Sequence, residues 1–210
     1  MHVVITGASR GIGAGLAQLY RDAGHRVTGT GLSVVSDVQL DVTIPSDHGA
    51  MADQPIDLLV CNAGVLFDPS EALEDGYNAE MWAATFAANV TGVFLSVQSM
   101  LPMLRLAKNA KIATISSQLA STTDAGGGMY IYRASKAAVL NLGRNLATDL
   151  RDEGIAVGIY LPGWVQTDMG GQAADITVDA SVQGLAKRFD ALNLNTTGCF
   201  ETWDGRAHDY

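Results

Sequence analysis

Residues 1–23, MHVVITGASRGIGAGLAQLYRDA, form the stretch that decides the fold. A short run of apolar and β-branched residues predicts a strand over residues 3–6. A glycine-rich turn follows at residues 6–13, and a helical pattern begins near Gly13. Glycine permits a sharp turn and a close approach of the backbone to a ligand. The start of the helix offers free N–H groups and a positive dipole end, so the stretch predicts a pyrophosphate site.

The spacing of the glycines narrows this interpretation. The common dinucleotide fingerprint G-x-G-x-x-G does not fit, because Leu16 occupies the position of its last glycine. The pattern present is T-G-x-x-x-G-x-G. A turn that merely packs tightly is the alternative, but its place directly after the first strand favours a cofactor. The candidate cofactor-binding residues of the turn are Gly7, Ser9, Arg10, Gly11, Ile12 and Gly13.

Strand-like and helix-like segments alternate along the whole chain. The predicted strands lie at residues 3–6, 26–30, 38–42, 56–61, 111–116, 155–160 and 199–203, and the predicted helices at 13–23, 79–108, 132–153 and 178–192. Pro102 is expected to kink or end the long second helix. Uninterrupted apolar strands between amphipathic helices are typical of a parallel sheet covered on both faces. We therefore predict an α/β fold, a doubly wound, Rossmann-like sheet, in one domain over residues 1–210.

Composition excludes several functional classes. The chain of 210 residues carries a formal net charge of −9, which argues against binding to nucleic acid or to an anionic membrane surface. We find no run of about 18 apolar residues, so no membrane span is expected. Two cysteines do not make a disulfide scaffold. A cytoplasmic protein is the expectation.

A second group of residues lies far downstream. Tyr132 and Lys136 are four residues apart on a predicted helix, so their side chains share one face. Ser117 follows the preceding strand, at the carboxyl edge where open α/β sheets bind ligands. A free tyrosine has a pKa near 10, and a nearby ammonium group lowers that pKa. These residues suit proton transfer, although a chance pair on a solvated helix is the alternative.

In their order along the chain, the motifs resemble the short-chain dehydrogenase/reductase family. The matching segments are TGASRGIG at 6–13, NAG at 62–64, Asn89, Ser117, YRASK at 132–136 and PGWVQT at 162–167. The run GGMYIYRASKAAVLNL also resembles a small subgroup around C-factor and the Sniffer-type carbonyl reductases. The resemblance implies a hydride transfer between a nicotinamide cofactor and a small carbonyl or secondary alcohol.

The resemblance also assigns catalytic roles. Tyr132 donates a proton to the carbonyl oxygen or accepts one from the alcohol, and Ser117 orients that oxygen. Lys136 contacts the nicotinamide ribose and lowers the pKa of Tyr132, and Asn89 holds a water that links Lys136 to solvent. Tyr130 is not the expected acid, because Lys136 lies six residues beyond it and off its face.

Further positions are implied to bind the cofactor. Asp41 and Val42 lie on the adenine side, the NAG segment lines the adenosine ribose, and the segment after the sixth strand approaches the carboxamide. These residues are Asp41, Val42, Asn62, Ala63, Gly64, Pro162, Gly163, Val165 and Thr167, together with Tyr132 and Lys136. Alternatives stay open for three of them: Asp41 as a strand-end turn former, Asn62 as a turn residue, and Thr167 as part of a helix cap.

The preferred nicotinamide cofactor follows from the end of the second strand. Residues 27–33, VTGTGLS, contain no acid to bind a ribose 2′-hydroxyl. Arg10 is available to pair with a 2′-phosphate, and Ser33 to add a hydrogen bond. We therefore expect NADP(H) to be favoured over NAD(H).

Two short segments and two apolar helices complete the expectations. The segment before Asp41 has little room for the usual second helix, and the segment after Thr167 is short for a substrate lid. The first indicates an open surface on the adenine side, and the second an open pocket with a small or promiscuous carbonyl substrate. The wide apolar surfaces of the helices at 79–101 and 132–150 favour a homodimer or homotetramer. The alternative function is a regulatory or signalling protein that binds the cofactor with little turnover.

Overall fold

The computed structural model describes residues 1–50 and 54–210. Seven parallel strands in these ranges form one sheet in the order β3-β2-β1-β4-β5-β6-β7. The strands are β1 (His2–Thr6), β2 (Arg26–Gly31), β3 (Val38–Gln39), β4 (Leu58–Cys61), β5 (Lys111–Ile115), β6 (Ala156–Leu161) and β7 (Phe200–Thr202). The α-helices are α1 (Gly11–Asp22), α2 (Ala79–Phe86), α3 (Gly92–Leu104), α4 (Tyr130–Asp149) and α5 (Val178–Ala191). The predicted doubly wound parallel sheet is confirmed.

The central strands are buried on both faces. Side chains of successive residues point to opposite faces of a strand, so β1 divides its apolar residues between two cores. Val4 packs in the cluster formed with α3 and α4. Val3 and Ile5 pack in the cluster formed with α1 and α5. The strand order changes direction between β1 and β4, and in such sheets the crevice at this point binds ligands.

The short region between β2 and β4 departs from the predicted strand at 38–42. β3 contains two residues, because Asp41 begins a turn: its Oδ1 accepts hydrogen bonds from the N–H (2.9 Å) and the hydroxyl (2.8 Å) of Thr43. A 3₁₀ segment, Pro45–Ala50, stands in the described part of the connection to β4. The expected shortening of the second helix concerns the segment before Asp41, where residues 32–37 form turns and bends without a helix.

The long helix predicted at 79–108 is two α-helices joined by a π-helical turn at Ala87–Thr91. Pro102 lies inside α3, two residues before its last residue, and the sharp irregularity lies elsewhere. The helix thus continues for two residues past Pro102 before it ends, and the interruption within the predicted span is the π turn. Such turns occur often at functional sites.

One described helical stretch has the length and the mean hydropathy (1.3) of a membrane span, namely Ala79–Leu104. The sequence analysis expects none, since Thr, Asn, Ser and Gln interrupt its apolar residues. Val93, Val97 and Met100 pack in the core beside β4, as in a core helix that covers a sheet. Buried helices in the core of a protein often have this length and hydropathy too.

Candidate active site

The glycine turn between β1 and α1 is closely packed. Gly7 and Gly11 have positive φ values of 68° and 54°, which other residues adopt at a cost. A Cβ at Gly7 would lie 2.8 Å from the Cα of Ala63, and a Cβ at Gly13 would overlap the carbonyl oxygen of Gly7. The turn therefore needs glycine at these positions, because neighbouring protein atoms fill the space that a side chain would occupy.

The end of β4 holds this turn in place. The side-chain amide of Asn62 donates to the carbonyl oxygens of Thr6 and Gly7, both at 3.0 Å. The hydroxyl of Thr6 accepts the N–H groups of Asn62 and Ala63, both at 3.1 Å. Asn62 thus shapes the glycine turn with its side-chain amide. The role of Thr6 was not predicted from the sequence, because a β-branched residue at this position is expected in any strand.

The N-terminus of α1 faces the cleft without a side-chain cap. Arg10 precedes the helix with extended backbone, and the first turn contains no acidic residue. The free N–H groups of such a terminus and its dipole favour an anion. The Arg10 guanidinium bonds to the carboxylate of Asp168 at 2.7 Å, and both side chains are 76% exposed. This ion pair joins the glycine turn to the loop after β6.

Two hydroxyl groups lie beside Gly31 at the carboxyl end of β2. A Cβ at Gly31 would be 2.9 Å from the Oγ of Ser36 and 3.3 Å from the Oγ of Ser9. The Ser36 hydroxyl is buried and has no hydrogen-bond partner among the described residues. Sequence reasoning missed Ser36. Ser33, which was expected to bind the 2′-phosphate, accepts a hydrogen bond from the N–H of Val35 through its hydroxyl oxygen at 3.3 Å.

One acid near β2 was also missed. Asp37 accepts the N–H of Gly29 at 2.7 Å and pairs with Arg21 at 2.6 Å. β3 pairs with Thr30 and Gly31 of β2, and the carboxylate of Asp37 binds the backbone N–H of Gly29 just before them. Residues 27–33 contain no acid, but the fold brings the acid Asp37 next to β2.

The adenine-side candidates have structural contacts of their own. Asp41 lines an open depression with Leu32 and Ile44, and one of its oxygens belongs to the turn described above. Val42 is buried and packs against Gly92, where a Cβ would lie 2.7 Å from its side chain. The alternative role of Asp41 as a turn former is thus present in the structure.

The three residues implied in proton transfer meet at the carboxyl edge of β5. Ser117 follows that strand and begins a short 3₁₀ turn by accepting the N–H of Leu119 at 3.2 Å. Tyr132 and Lys136 lie on α4, and both are buried. The Nζ of Lys136 lies 5.6 Å from the centre of the Tyr132 ring and donates to the carbonyl of Ile115 at 3.0 Å.

Burial dominates the protonation of this pair. It raises the pKa of Tyr132 to about 12, the hydrogen bond with Ser117 opposes the rise, and the charge of Asp68 adds to it. Burial also lowers the pKa of Lys136 to about 8. Desolvation by burial is therefore the largest influence on the pKa of Tyr132, and the lowering expected from Lys136 has to offset it. The phenol is held protonated at neutral pH.

Asn89 connects three segments around this pair. It lies in the π turn, where its Oδ1 accepts the N–H of Val65 (2.8 Å) and its Nδ2 donates to the carbonyl of Val65 and the hydroxyl of Ser135, both at 3.0 Å. Its Oδ1 and the Nζ of Lys136 both face Gly64, at 3.1 and 3.5 Å from where a Cβ would stand. The structure thus places Asn89 beside Lys136.

The loop after β6 closes the other side of the cleft. Gly163 has a φ of 85°, and Val165 is buried and pairs with Ile176. The carbonyl of Pro162 accepts the hydroxyl of Ser181 at 2.7 Å. The methyl group of Thr167 lies 3.4 Å from where a Cβ of Gly11 would stand, so this loop reaches the glycine turn. The segment is short, as expected for a reduced lid.

These features together fit a nicotinamide dinucleotide. The glycine cradle, the uncapped helix terminus and the unpartnered hydroxyl of Ser36 line one continuous edge, and the buried Tyr132 lies beyond them. The fold and the site define a dinucleotide-dependent oxidoreductase. The family model described as short chain dehydrogenase matches residues 33–176, and the chain belongs to this family.

Curated relatives agree with this membership. The chain is 42% identical over 156 residues to C-signal of Myxococcus xanthus, covering 72% of this chain and 90% of the relative. It is 29% identical over 185 residues to 3-oxoacyl-(acyl-carrier-protein) reductase FabG of Escherichia coli, covering 79% and 74%.

Solved structures are similar over the full length. An NADPH-bound carbonyl reductase from chicken fatty liver has a TM-score of 0.90 and 29% identity, covering 100% of this chain and 98% of that one. Carbonyl reductase Sniffer of D. melanogaster has a TM-score of 0.91 and 25% identity, covering 100% and 99%. The chain is a nicotinamide-dependent oxidoreductase, and the alternative of a regulatory protein with little turnover is not favoured.

Proposed function

We propose that this enzyme interconverts small carbonyl compounds and secondary alcohols, with Tyr132 as the general acid and base. The observation that carries the proposal is the buried Tyr132 beside Lys136 at the carboxyl edge of the sheet. Ser117 lies next to them at the end of β5. The short loop after Thr167 leaves the approach open, which suits a small substrate.

The protein residues manage the proton and the geometry. When it is bound, the nicotinamide cofactor supplies or accepts the hydride. In the reducing direction Tyr132 donates its phenolic proton to the carbonyl oxygen, and the Ser117 hydroxyl orients that oxygen. Lys136 stabilises the phenolate that remains and contacts the cofactor ribose. Asn89 links Lys136 to solvent through a water, and its amide fixes the loop at Val65.

The candidate cofactor-binding residues divide into four groups along the cleft. The glycine turn and the N-terminus of α1 hold the pyrophosphate, and the end of β4 supports the adenosine ribose. Asp41 and Val42 border the adenine, and the loop after β6 borders the carboxamide. These groups comprise Gly7, Ser9, Arg10, Gly11, Ile12 and Gly13; Asn62, Ala63 and Gly64; Asp41 and Val42; and Pro162, Gly163, Val165 and Thr167.

NADP(H) is the proposed cofactor in preference to NAD(H). Arg10 is exposed at the turn, and Ser9 and Ser36 present hydroxyl groups beside Gly31. Asp37 is the charge that opposes a 2′-phosphate, and its ion pair with Arg21 offsets that charge. NADPH bound in the chicken carbonyl reductase supports the same choice.

The assembly and the location are proposed from exposed apolar side chains and from the state of the cysteines. Trp82 and Phe86 on α2 have ring centres 5.9 Å apart, and Trp82 and Phe94, on α3, are exposed; we call these three side chains the apolar stripe. This stripe supports a homodimer or homotetramer. The two cysteines, Cys61 and Cys199, are free, which suits a reducing cytoplasm. The chain acts as one dinucleotide-binding domain over residues 1–210, without nucleic acid or membrane as a partner.

The decisive experiment compares the wild type with Tyr132→Phe on a panel of small aldehydes and ketones with NADPH. Loss of a general acid is expected to lower kcat roughly 10²- to 10⁴-fold while cofactor affinity is retained. Tyr130→Phe is the matched control and keeps the wild-type rate, because Tyr130 is 40% exposed and packs against Tyr77. A wild type that binds NADPH tightly but reduces no carbonyl would contradict the proposal and favour a regulatory role.

A further inference from the structure

The helix that carries Tyr132 begins without a cap of its own. Met129 precedes α4 with a left-handed backbone, φ 44°, and its side chain forms no capping hydrogen bond. Gly127 and Gly128 before it are also left-handed, at 72° and 64°. The first N–H groups of a helix need acceptors, and a buried N–H without one costs about 1–3 kcal/mol.

Asp68 supplies the missing acceptor from another part of the chain. Its Oδ2 accepts the N–H of Ile131 at 2.9 Å and the N–H of Tyr132 at 3.3 Å. The side chain comes from the loop after β4, 63 residues away in sequence, and Asp68 has no exposed surface. Its Oδ1 is buried and has no hydrogen-bond partner among the described residues. A buried carboxyl group therefore lies at the first turn of the catalytic helix.

The loop that carries Asp68 is itself fixed to the active site. Val65 lies three residues before Asp68, and Asn89 forms hydrogen bonds with both its N–H and its carbonyl group. Asn89 also donates a hydrogen bond to Ser135 on α4. Ser135 donates in turn to the carbonyl of Tyr132 at 2.8 Å. The N–H and the carbonyl of Tyr132 are thus both held through this loop and Asn89.

We propose that Asp68 is a positioning residue for the reaction, one that holds the backbone of Tyr132 and places a negative charge at the first turn of its helix. The proposal rests on the function proposed for Tyr132 and extends it. A carboxylate is favoured at this end of a helix by the dipole as well as by the two N–H groups.

Three groups from different elements act on the phenol of Tyr132. Lys136, on the same helix, lies 5.6 Å from the ring centre, Ser117 follows β5 and hydrogen-bonds to the phenol, and Asp68 comes from the loop after β4. Burial raises the pKa of Tyr132, the hydrogen bond of Ser117 opposes the rise, and the charge of Asp68 adds to it. Removing that charge therefore favours the phenolate and lowers the tyrosine pKa.

The test separates charge from capping with two variants. Asp68→Asn keeps one acceptor oxygen for the helix N–H groups and loses the charge, whereas Asp68→Ala loses both. We expect Asp68→Asn to move the acidic limb of the pH profile of alcohol oxidation to lower pH by roughly half a unit or more. We expect Asp68→Ala to lower the thermal midpoint and to speed hydrogen exchange at Ile131 and Tyr132, and Asp68→Asn to preserve both.

Glu74→Gln is the matched control, since Glu74 is an exposed acid of the same loop, and its pH profile should coincide with that of the wild type. A profile of Asp68→Asn that coincides with the wild type would overturn the proposal and leave a capping residue only. Wild type and Tyr132→Phe are assayed in parallel. Wild-type turnover that does not depend on Tyr132 would overturn the proposed function itself, and this inference with it.

Discussion

Lys136 illustrates how much a single buried charge costs in this site. Lys136 is 5% exposed, and among the described residues its ammonium group has one hydrogen bond, to the carbonyl of Ile115. Burial holds its pKa at about 8, well below that of an unfolded lysine. A group whose folded-state pKa is lowered destabilises the fold below that pKa and ceases to do so as pH rises towards the unfolded value.

This linkage predicts that Lys136→Met is more stable than the wild type at pH 7. The difference is expected to be about 2 kcal/mol, because the gain from removing a buried charge is reduced by an unpaired Ile115 carbonyl. It should shrink between pH 8 and pH 10.5, as the lysine loses its proton in the folded protein. Denaturant midpoints at pH 7 and above pH 9 measure it. A constant difference across that range would show that the charge is not the cause.

Arg10 carries the prediction for cofactor choice. Its guanidinium is exposed and its partner Asp168 is equally exposed, so the ion pair contributes little to stability. We expect the wild type to have a lower KM for NADPH than for NADH. Arg10→Gln should raise the KM for NADPH about tenfold or more and leave the KM for NADH nearly unchanged, since a charged hydrogen bond is worth about 1.5–3 kcal/mol.

Lys108→Gln serves as the control for this comparison, because it removes an equal charge from an exposed position beyond the end of α3. It should leave both KM values unchanged. A strong preference of the wild type for NADH would contradict the proposal, and Asp37 would then be the residue responsible.

The catalytic residues could be predicted from sequence more readily than their surroundings. Tyr132, Lys136 and Ser117 are marked by helical spacing and by a place at a strand end, and the structure brings them together. Asp68, Thr6 and Ser36 carry no such pattern. Each acts through a contact that depends on the register of a loop, so their roles follow from the folded chain alone.

At the scale of elements, hydrophobic patterning was sufficient for every strand in the centre of the sheet. β1, β4, β5 and β6 are apolar runs buried on both faces, and such runs have few alternatives in an α/β chain. β3 was overestimated, because the turn at Asp41 is decided by one side chain rather than by periodicity.

The π turn at Ala87–Thr91 escaped prediction for a different reason. Its residues have ordinary helical composition, and the extra residue in the turn changes the phase of the helix without a sequence signature. This change of phase lets Asn89 point inward between Val65 and Ser135, while α3 continues along the sheet. The helix therefore serves the site and the core at the same time.

For the whole molecule, the exposed apolar stripe predicts the oligomeric state. Phe94 is 42% exposed on α3, and Trp82 is 36% exposed on α2. We expect Phe94→Glu to convert the proposed oligomer to a monomer, because burial of a charge in an apolar interface is costly. Light scattering at micromolar concentration measures the change. Leu106→Glu is the control, since Leu106 is 62% exposed near the end of α3 and should leave the mass unchanged.

A monomeric wild type under the same conditions would remove the proposal for an oligomer. In that case the stripe of Trp82, Phe86 and Phe94 needs another explanation. The strand order and the two cores of the sheet do not depend on an oligomer, because Val4 and Ile5 pack within one chain.

The place of β1 in the sheet has a consequence for how the protein is made. β1 is the first strand of the chain but the third in the sheet, between β2 and β4. During synthesis, its hydrogen-bonding groups on one side stay unpaired until residues 58–61 have left the ribosome. This buried, apolar strand then has an unpaired edge that is open to other chains during synthesis. Slow translation after residue 31 should therefore increase aggregation, and a chaperone that shields β1 should reduce it.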